Sequence, residues 1–236
     1  MRLFATSFAL LVAVLSAHAQ SSFQNLNFES ANLSNPSGQY NEVPISNALP
    51  GWSGSIGGVA VTEVWADGDS AGEAAICVEG PGTNRGGLGP LGGNYSVLLF
   101  SGFDPQTESV GVDASVSQNG TIPSNTLSLE FEAWKFQASS TFSISFDGNS
   151  LSPVGLSSGI GEFGQAYEVY GVNLAAYAGQ TGSLEFTAVF NDLGQSATEF
   201  DDITFSTMTV APEPSTLALV VMGGLALAAR RGHKKG

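Results

Sequence analysis

Short runs of alternating apolar and polar residues, broken by Gly, Asn, Asp and Pro, fill most of the chain between residues 20 and 207. Ser109 to Ser117 alternates strictly, with Val110, Val112, Ala114 and Val116 at every second position. No stretch of ten or more residues in this part has a helical period of apolar positions. This pattern predicts an all-β domain, an antiparallel β-sandwich of about ten strands joined by turns.

The individual strands follow from the same alternation. Tyr95 to Phe100 is apolar at nearly every position and predicts a central buried strand. Leu127 to Phe136 and Thr141 to Asp147 are adjacent alternating runs, which favours a hairpin, and Asp147-Gly148-Asn149 is typical of a tight turn. Further strands are predicted at Leu26–Glu29, Val59–Trp65, Ala74–Glu79, Tyr167–Leu174, Leu184–Phe190 and Phe200–Thr207, with one helical turn at 175–179.

Both ends of the chain differ from this β-rich body. Residues 1–19 combine the basic Arg2, an apolar run and a small-x-small sequence at Ala17-His18-Ala19, so they predict a signal helix removed by signal peptidase. At the other end, residues 208–216 form a linker and 217–229 are mostly apolar, which predicts a short hydrophobic helix. Residues 230–236 contain four basic residues, which would keep that end on the cytoplasmic side. The β-sandwich domain is therefore assigned to residues 20–207.

The linker contains a short motif that suggests what the C-terminal tail is for. This motif is Pro212-Glu213-Pro214 followed by Ser215. Together with the apolar run and the basic end, it resembles the PEP-CTERM sorting signal of Gram-negative bacteria. The resemblance implies processing by an exosortase near the motif and transient anchoring in the inner membrane. It then implies delivery to the cell surface or extracellular matrix. The alternative is a plain tail anchor.

The charge of the body limits its partners. Residues 20–211 contain 20 acidic residues and only two basic ones, Arg85 and Lys135, for a formal charge of −18. Such a surface repels nucleic acid and anionic lipid, because both are bound through Lys and Arg. Both histidines, His18 and His233, lie in the two ends, so the body has none. This excludes catalysis that depends on a histidine base.

Several patches of the body resemble the jelly-roll domains of galactose-binding and carbohydrate-binding modules. The resemblance implies a jelly-roll-like sandwich with a sugar-binding or structural role. In such domains the first and last strands lie side by side, and a carboxylate from each often holds a structural calcium ion. The patches that carry it are Asn25–Glu29, Pro50-Gly51-Trp52, Val172–Gln180 and Phe200–Phe205.

The resemblance makes Glu29, Asp201 and Asp202 candidate calcium ligands. Asp201 shares its strand face with Ile203 and Phe205, which predicts that its carboxylate points inward. A buried carboxylate needs a partner, and Ca²⁺ from outside the cell takes oxygen ligands of this kind. The alternative is that Asp201 caps a turn by accepting hydrogen bonds from backbone N–H groups.

A second candidate site lies on the strand around Phe131. Glu130, Glu132 and Trp134 share one face of this strand, and the intervening residues form the apolar face. An aromatic ring with two neighbouring carboxylates is suited to sugar binding. At about 7 Å apart, the carboxylates also match the spacing of inverting glycosidases. The alternative is an ordinary solvated strand face.

Three other features of the sequence give weaker evidence of a functional site. Cys77 lies in an apolar run and is interpreted as a small core residue, and Trp52 and Trp65 are interpreted as core side chains. The segment 67–73 contains Asp67 and Asp69 and is partly similar to a calcium loop, but a solvated turn is the simpler interpretation.

We therefore expect an exported, non-catalytic surface or matrix protein with a structural or adhesive role, in contact with exopolysaccharide. The alternatives are a carbohydrate-binding protein with a defined glycan ligand and a glycoside-active enzyme.

Overall fold

The computed structural model describes residues 22–68, 72–81, 89–105, 111–161, 163–191 and 195–210. Within these residues, strands account for nearly all of the regular structure. There are two short helices, α1 (Ile45–Ala48) and a 3₁₀ turn (Ala175–Tyr177) at the predicted helical position. The predicted signal helix, the hydrophobic helix and the sorting motif Pro212–Ser215 lie outside the described residues. No helix in the described ranges is both long and apolar enough to cross a membrane.

The strands form two sheets packed face to face, which confirms the predicted β-sandwich. The larger sheet consists of β1 (Glu42–Pro44), β4 (Glu63–Ala66), β5 (Ala75–Glu79), β6 (Ser96–Phe103), β7 (Gly111–Val112), β9 (Ser128–Lys135), β12 (Val154–Ile160), β13 (Ala166–Asn173) and β15 (Ser196–Ser206). The smaller sheet consists of β2 (Ser53–Ile56), β3 (Val59–Val61), β8 (Ala114–Thr121), β10 (Thr141–Phe146), β11 (Asn149–Leu151) and β14 (Thr181–Val189).

The order of the strands differs from their order in the chain. The larger sheet has the order β1-β4-β5-β6-β15-β9-β13-β12, with β7 paired to β6, and the smaller sheet has the order β11-β10-β14-β8-β2-β3. Every strand pair is antiparallel except β4 with β5.

Aromatic side chains fill the space between the sheets. Phe131 of β9 has no exposed surface and contacts rings from both sheets. Its ring centroid lies 5.3 Å from that of Phe186, 5.7 Å from Tyr170, 6.1 Å from Phe142 and 6.2 Å from Phe200. Trp52 is also a core side chain, as predicted, and its indole N–H donates to the carbonyl of Asn25 at 3.0 Å. The burial of these rings supplies much of the apolar contact that holds the two sheets together.

The outer face of the larger sheet carries a second, smaller apolar cluster. It consists of Ala75, Cys77, Leu98, Phe100 and Ala197, with Trp65 and Trp134 packed against it. Cys77 is fully buried, as predicted. The larger sheet is therefore buried on both faces over β5, β6 and the first half of β15, which explains why β5 and β6 are apolar without clear alternation.

Three local predictions are wrong. Leu26–Glu29 is not a strand but a turn, in which Phe28 has a φ of 56° and a fully buried ring. β9 and β10 do not form a hairpin, because β9 pairs with β13 and β15 while β10 pairs with β11 and β14. Val59–Trp65 is divided at Thr62 into β3 and β4, which belong to different sheets.

The tight turn after β10 is confirmed. Asp147 and Gly148 both have positive φ, 50° and 74°, and connect the paired residues Phe146 and Asn149. Two consecutive left-handed residues make a hairpin turn whose twist matches that of the strands, and Asp-Gly is well suited to it.

Candidate functional site

The outer row of β9 is positioned as its alternation predicts. Leu129, Phe131 and Ala133 are buried in the core. Glu130 and Glu132 occupy the opposite face and are half-buried. Trp134 continues this row, but it packs against the outer apolar cluster, and its ring meets Phe136 edge-on at 6.0 Å. The indole is therefore packed against other side chains. Of this row, Glu132 is the residue with polar neighbours, Tyr167 and Asp202.

A β-bulge in β15 brings two more carboxylates to the same place. The β15–β9 pairing shifts register between Asp201 and Thr204, and Asp202 has a φ of 46°, in the left-handed region. Ile203 is buried beyond the bulge, and its N–H donates to the carbonyl of Leu26 at 3.0 Å. The bulge lets Asp201 and Asp202 approach one point, whereas consecutive residues of a regular strand point to opposite faces.

Glu132, Asp201 and Asp202 converge beside Gly92. Glu132 and Asp201 are directly paired across β9 and β15. A β-carbon on Gly92 would lie 3.2 Å from Asp202 Oδ2, 3.6 Å from Asp201 Oδ2 and 3.7 Å from Glu132 Oε2. Since all three oxygens lie around one position, about 7 Å is the upper limit on the distance between any two of them. The absence of a side chain at Gly92 leaves room for this cluster.

Asp201 is the most deeply buried of the three carboxylates. Only 1% of its surface is exposed, and its oxygens accept hydrogen bonds from the N–H groups of Gly92 at 3.0 Å and Asp202 at 2.7 Å. Burial raises the pKa of Asp201 from 3.8 to about 8, although these two bonds act in the opposite direction. Asp201 is therefore mostly protonated at neutral pH, and its main contribution is to hold the bulge against the loop that contains Gly92.

Glu132 is more accessible and has a different partner. Burial raises its pKa, the nearby Asp202 carboxylate adds to this effect, and a hydrogen bond from the Tyr167 hydroxyl opposes it. Burial and the contact with Glu132 also raise the pKa of Tyr167 to about 12, so this hydroxyl remains a donor. Asp202 is exposed. The cluster thus combines a half-buried carboxyl with a raised pKa and an accessible carboxylate, as acid–base catalysis requires.

Another buried carboxyl lies on the same face of β15 as Asp201. Glu199 has no exposed surface and accepts a hydrogen bond from the Ser96 hydroxyl. Burial raises its pKa well above the usual value, and the neighbouring Glu79 and Asp201 carboxylates add to this shift. Lys135 is the one Lys or Arg residue in the ranges that the structure describes, against sixteen acidic residues. The described part of the chain is therefore strongly acidic as a whole.

Glu29 lies next to this cluster but has its own partners. Its carboxylate accepts hydrogen bonds from the N–H of Asn94 at 2.6 Å, the Asn94 side-chain amide at 2.8 Å and the N–H of Tyr95 at 3.0 Å. Burial raises its pKa, but these bonds outweigh that effect and leave the pKa below its usual value. Glu29 therefore fixes the loop that precedes β6.

Two of the predicted calcium ligands use their oxygens for hydrogen bonds with backbone N–H groups. The oxygens of Glu29 and Asp201 accept hydrogen bonds from N–H groups, which is the alternative that the sequence left open for Asp201. Across the described ranges, no group of three or more Asp, Glu, His or Cys side chains has an arrangement that could hold a metal ion. Structural calcium at Glu29, Asp201 and Asp202 thus stays a prediction.

Some of the predicted features cannot be placed completely. Asp69 of the calcium-like segment 67–73 lies outside the described residues. Asp67 accepts a hydrogen bond from the N–H of Gly80 at 2.8 Å, as expected for a turn. Two important residues, Tyr167 and Glu199, were not predicted as site residues. Glu199 and Asp201 are two positions apart on one strand, so the alternation of β15 was the available signal.

No protein-family model and no curated protein sequence matches this chain. Solved structures with a similar fold do exist. One is the enzymatically active domain of tailspike protein 4 from bacteriophage CBA120, with 14% identity and a TM-score of 0.39 over 79% of this chain and 21% of that one. Another is the xyloglucanase domain of NopAA, a type three effector from Sinorhizobium fredii, in complex with cellobiose. It has 13% identity and a TM-score of 0.29 over 71% of this chain and 98% of that one. The present chain thus spans about a fifth of the tailspike chain.

These comparisons contradict the prediction of a non-enzymatic protein. Both similar structures are named as catalytic domains, one enzymatically active and the other a xyloglucanase. At these identities the likeness concerns the fold and does not transfer an activity or a residue role. The activity of this chain therefore has to be argued from its own residues.

Proposed function

We propose that this is an exported, carbohydrate-active protein that engages a glycan at the cluster of Glu132, Asp201 and Asp202. The convergence of these three carboxylates beside Gly92 is the observation that carries the proposal. Carboxylates accept hydrogen bonds from sugar hydroxyls, and the nearby Tyr167 hydroxyl can serve as a donor or an acceptor. The glycan is neutral or positively charged, because the acidic surface repels uronic acids and sulfated sugars.

The same cluster favours hydrolysis of a glycosidic bond. Glu132 is the proton donor, because burial raises its pKa while the side chain is half-buried and not fully enclosed. Its proton passes to the glycosidic oxygen as the bond to the anomeric carbon breaks. Asp202 is the accessible carboxylate, which either removes a proton from the attacking water or attacks the anomeric carbon itself. A separation of at most about 7 Å fits both mechanisms, so the anomeric configuration of the product distinguishes them.

Glycan binding and turnover test this proposal directly. The exported protein should bind a neutral polysaccharide and release new reducing ends from it. Glu132→Gln removes the proton donor and should lower turnover by at least about 100-fold, with a smaller effect on binding. Asp202→Asn should also abolish turnover. Glu185→Gln, on the smaller sheet, is the matched control and should behave as the parent protein does.

Two results would overturn the proposal. One is the absence of both binding and reducing-end release across a panel of neutral and amino polysaccharides. The other is equal activity of the parent, Glu132→Gln and Asp202→Asn proteins, since this would place the activity elsewhere. Binding that depends on Glu132 without turnover would leave carbohydrate recognition in place and exclude hydrolysis.

We also propose that the C-terminal tail directs the protein to its place of action. The support is the order of Pro212-Glu213-Pro214, the apolar run and the basic end. An exosortase would cleave near this motif, so the inner-membrane precursor would become a surface or matrix protein in contact with exopolysaccharide. The bacterium would be of the Gram-negative type.

Changing the motif separates this proposal from a plain tail anchor. Pro212→Ala together with Glu213→Ala should leave an uncleaved precursor in the inner membrane, while the parent protein appears outside the cell in a shorter form. Fractionation with an antibody against the body measures both. If the altered protein is released as efficiently as the parent, the tail is not a sorting signal.

A further inference from the structure

A small cavity lies where β9 ends and β13 begins. Its volume is about 130 Å³, room for roughly four water molecules at about 30 Å³ each. Among the described residues that line it, Lys135 and Glu168 carry the charges. Its apolar wall consists of three alanines, whose short side chains leave the space open: Ala133, Ala138 and Ala166.

Both strands line the cavity with one face only. Ala133 of β9 is directly paired with Glu168 of β13. Lys135 and Tyr170 each lie two residues beyond one member of this pair, so all four side chains share a face of the sheet. None of the described residues between them lines the cavity. The Lys135 and Glu168 side chains therefore extend toward the cavity.

The two charges meet at the cavity without forming an ion pair. Lys135 lies diagonally opposite Glu168, a separation of about 7–8 Å between backbone positions in an antiparallel pair. In the described part of the chain, the Lys135 ammonium has no carboxylate within 4.0 Å. The Glu168 carboxylate instead accepts a hydrogen bond from the Tyr170 hydroxyl, which fixes its orientation. Glu168 is exposed and Lys135 is half-buried, so a ligand can reach both charges.

The neighbouring opposite charges determine which ligand fits. A ligand with a single charge is attracted to one of the two side chains and repelled by the other. A ligand with a carboxylate and an ammonium group a few bonds apart is attracted to both. The small volume excludes a polysaccharide chain or a nucleotide.

We propose that this cavity binds a small zwitterion of the α-amino acid type. The carboxylate of the ligand pairs with the Lys135 ammonium. Its ammonium group pairs with the Glu168 oxygen that does not accept the Tyr170 hydroxyl, and its aliphatic side chain packs on the three alanines.

The cavity is separate from the Glu132 cluster. Ala133 and Lys135 lie on the face of β9 that carries Phe131, whereas Glu132 lies on the opposite face. The proposal therefore does not depend on the proposed glycan site. Substitutions at one site should leave binding at the other unchanged.

NMR titration of the exported protein with three probes tests the proposal. Alanine carries both charges, propionate carries the carboxylate without the ammonium group, and ethylammonium carries the ammonium group without the carboxylate. The two single-charge probes are smaller than alanine, so the cavity does not exclude them by size. Each should bind about fivefold more weakly than alanine, the effect expected from the loss of one partly exposed ion pair.

Two variants assign each charge of the ligand to its partner. In Lys135→Gln, alanine should lose its advantage over ethylammonium, because its carboxylate no longer has a cationic partner. In Glu168→Gln, alanine should lose its advantage over propionate, while the Tyr170 hydroxyl can still donate to the amide oxygen of this variant. The controls Glu132→Gln and Glu185→Gln should keep both advantages.

Any one of three results would overturn the proposal. Alanine does not bind, or all three probes bind equally, or both advantages of alanine persist in Lys135→Gln and Glu168→Gln.

Discussion

Replacing Phe131 with alanine is expected to lower the free energy of unfolding by about 3–5 kcal/mol, the range for large buried aromatic residues. Phe131 is fully buried and contacts rings from both sheets. Phe142 and Phe186 belong to the smaller sheet, while Tyr170 and Phe200 belong to the larger one. Truncation therefore removes apolar contact on all sides and leaves a cavity that neither sheet can close without moving. Urea denaturation followed by tryptophan fluorescence measures the loss.

The same strand supplies a control of the same residue type. Phe136 follows the last residue of β9 and is 54% exposed, and its ring contact is an edge-on approach to Trp134. Phe136→Ala should therefore cost less than about 1 kcal/mol. A loss below about 1 kcal/mol for Phe131→Ala, or equal losses for the two variants, would show that these rings do not hold the sheets together as described.

The strand faces could be predicted because alternation is a local property. In β9 the residues Leu129, Phe131 and Ala133 are separated from Glu130, Glu132 and Trp134 by the two-residue period alone, and the structure confirms this division. The burial of Tyr95–Phe100 could also be predicted from the segment itself, because a run that is apolar at nearly every position indicates a strand covered on both faces. The structure shows β6 covered in this way.

Strand partners could not be predicted in this way. β9 and β10 follow each other after a short connection, and alternation is the same whether two strands form a hairpin or cross to opposite sheets. In the structure the chain crosses from the larger sheet at β9 to the smaller sheet at β10, so Phe131 and Phe142 meet edge-on between the sheets. The apolar contact between the two sheets determines that β9 and β10 lie in different sheets. The residues that connect the two strands carry no local signal of this crossing.

The candidate site depends on pairing between distant parts of the chain. Glu132 and Asp202 were both singled out from the sequence, but they were assigned to separate sites, a sugar-binding face and a calcium site. They meet because β9 pairs with β15 and because a bulge places Asp202 beside Asp201. A bulge adds one residue to one strand and shifts its alternation, so the core residues Phe200 and Ile203 are three positions apart. Asp201 therefore shares the outer face with Glu132 and not, as predicted, the inner face with Ile203 and Phe205.

The protein is expected to lose stability as the pH rises from about 4 to about 8. Asp201 has a pKa of about 8 in the folded protein against an ordinary value of 3.8. Between these values the folded state binds a proton that the unfolded state has released, so raising the pH favours unfolding. One such proton corresponds to at most about 1.4 kcal/mol per pH unit, or about 5 kcal/mol over the whole window. The raised pKa values of Glu132 and Glu199 act in the same direction.

Glu29 has the opposite effect at lower pH. Its pKa is below the ordinary value of 4.5, so its contribution to stability is present above that value and is lost as the pH falls through its folded pKa. The contribution of Asp201 is lost as the pH rises and that of Glu29 as the pH falls, so the two effects oppose each other only in the acidic range. Urea denaturation at pH 5.0 and 8.5 should therefore show a clear decrease in the free energy of unfolding.

Asp201→Asn identifies the carboxyl responsible for most of this dependence. The amide does not titrate, so the difference in stability between pH 5.0 and 8.5 should shrink by several kcal/mol, of the order of the Asp201 contribution. The variant should be less stable than the parent at pH 5.0, because one of the N–H groups of Gly92 and Asp202 then faces an amide donor. Glu185→Gln, on the smaller sheet, should keep the full pH dependence of the parent.

An unchanged pH dependence in Asp201→Asn, or a parent protein that is more stable at pH 8.5 than at pH 5.0, would show that Asp201 is ionised in the folded state. The acidic cluster would then need a cation to stabilise it, and a Ca²⁺ titration of the melting temperature at pH 8.5 would be the next measurement.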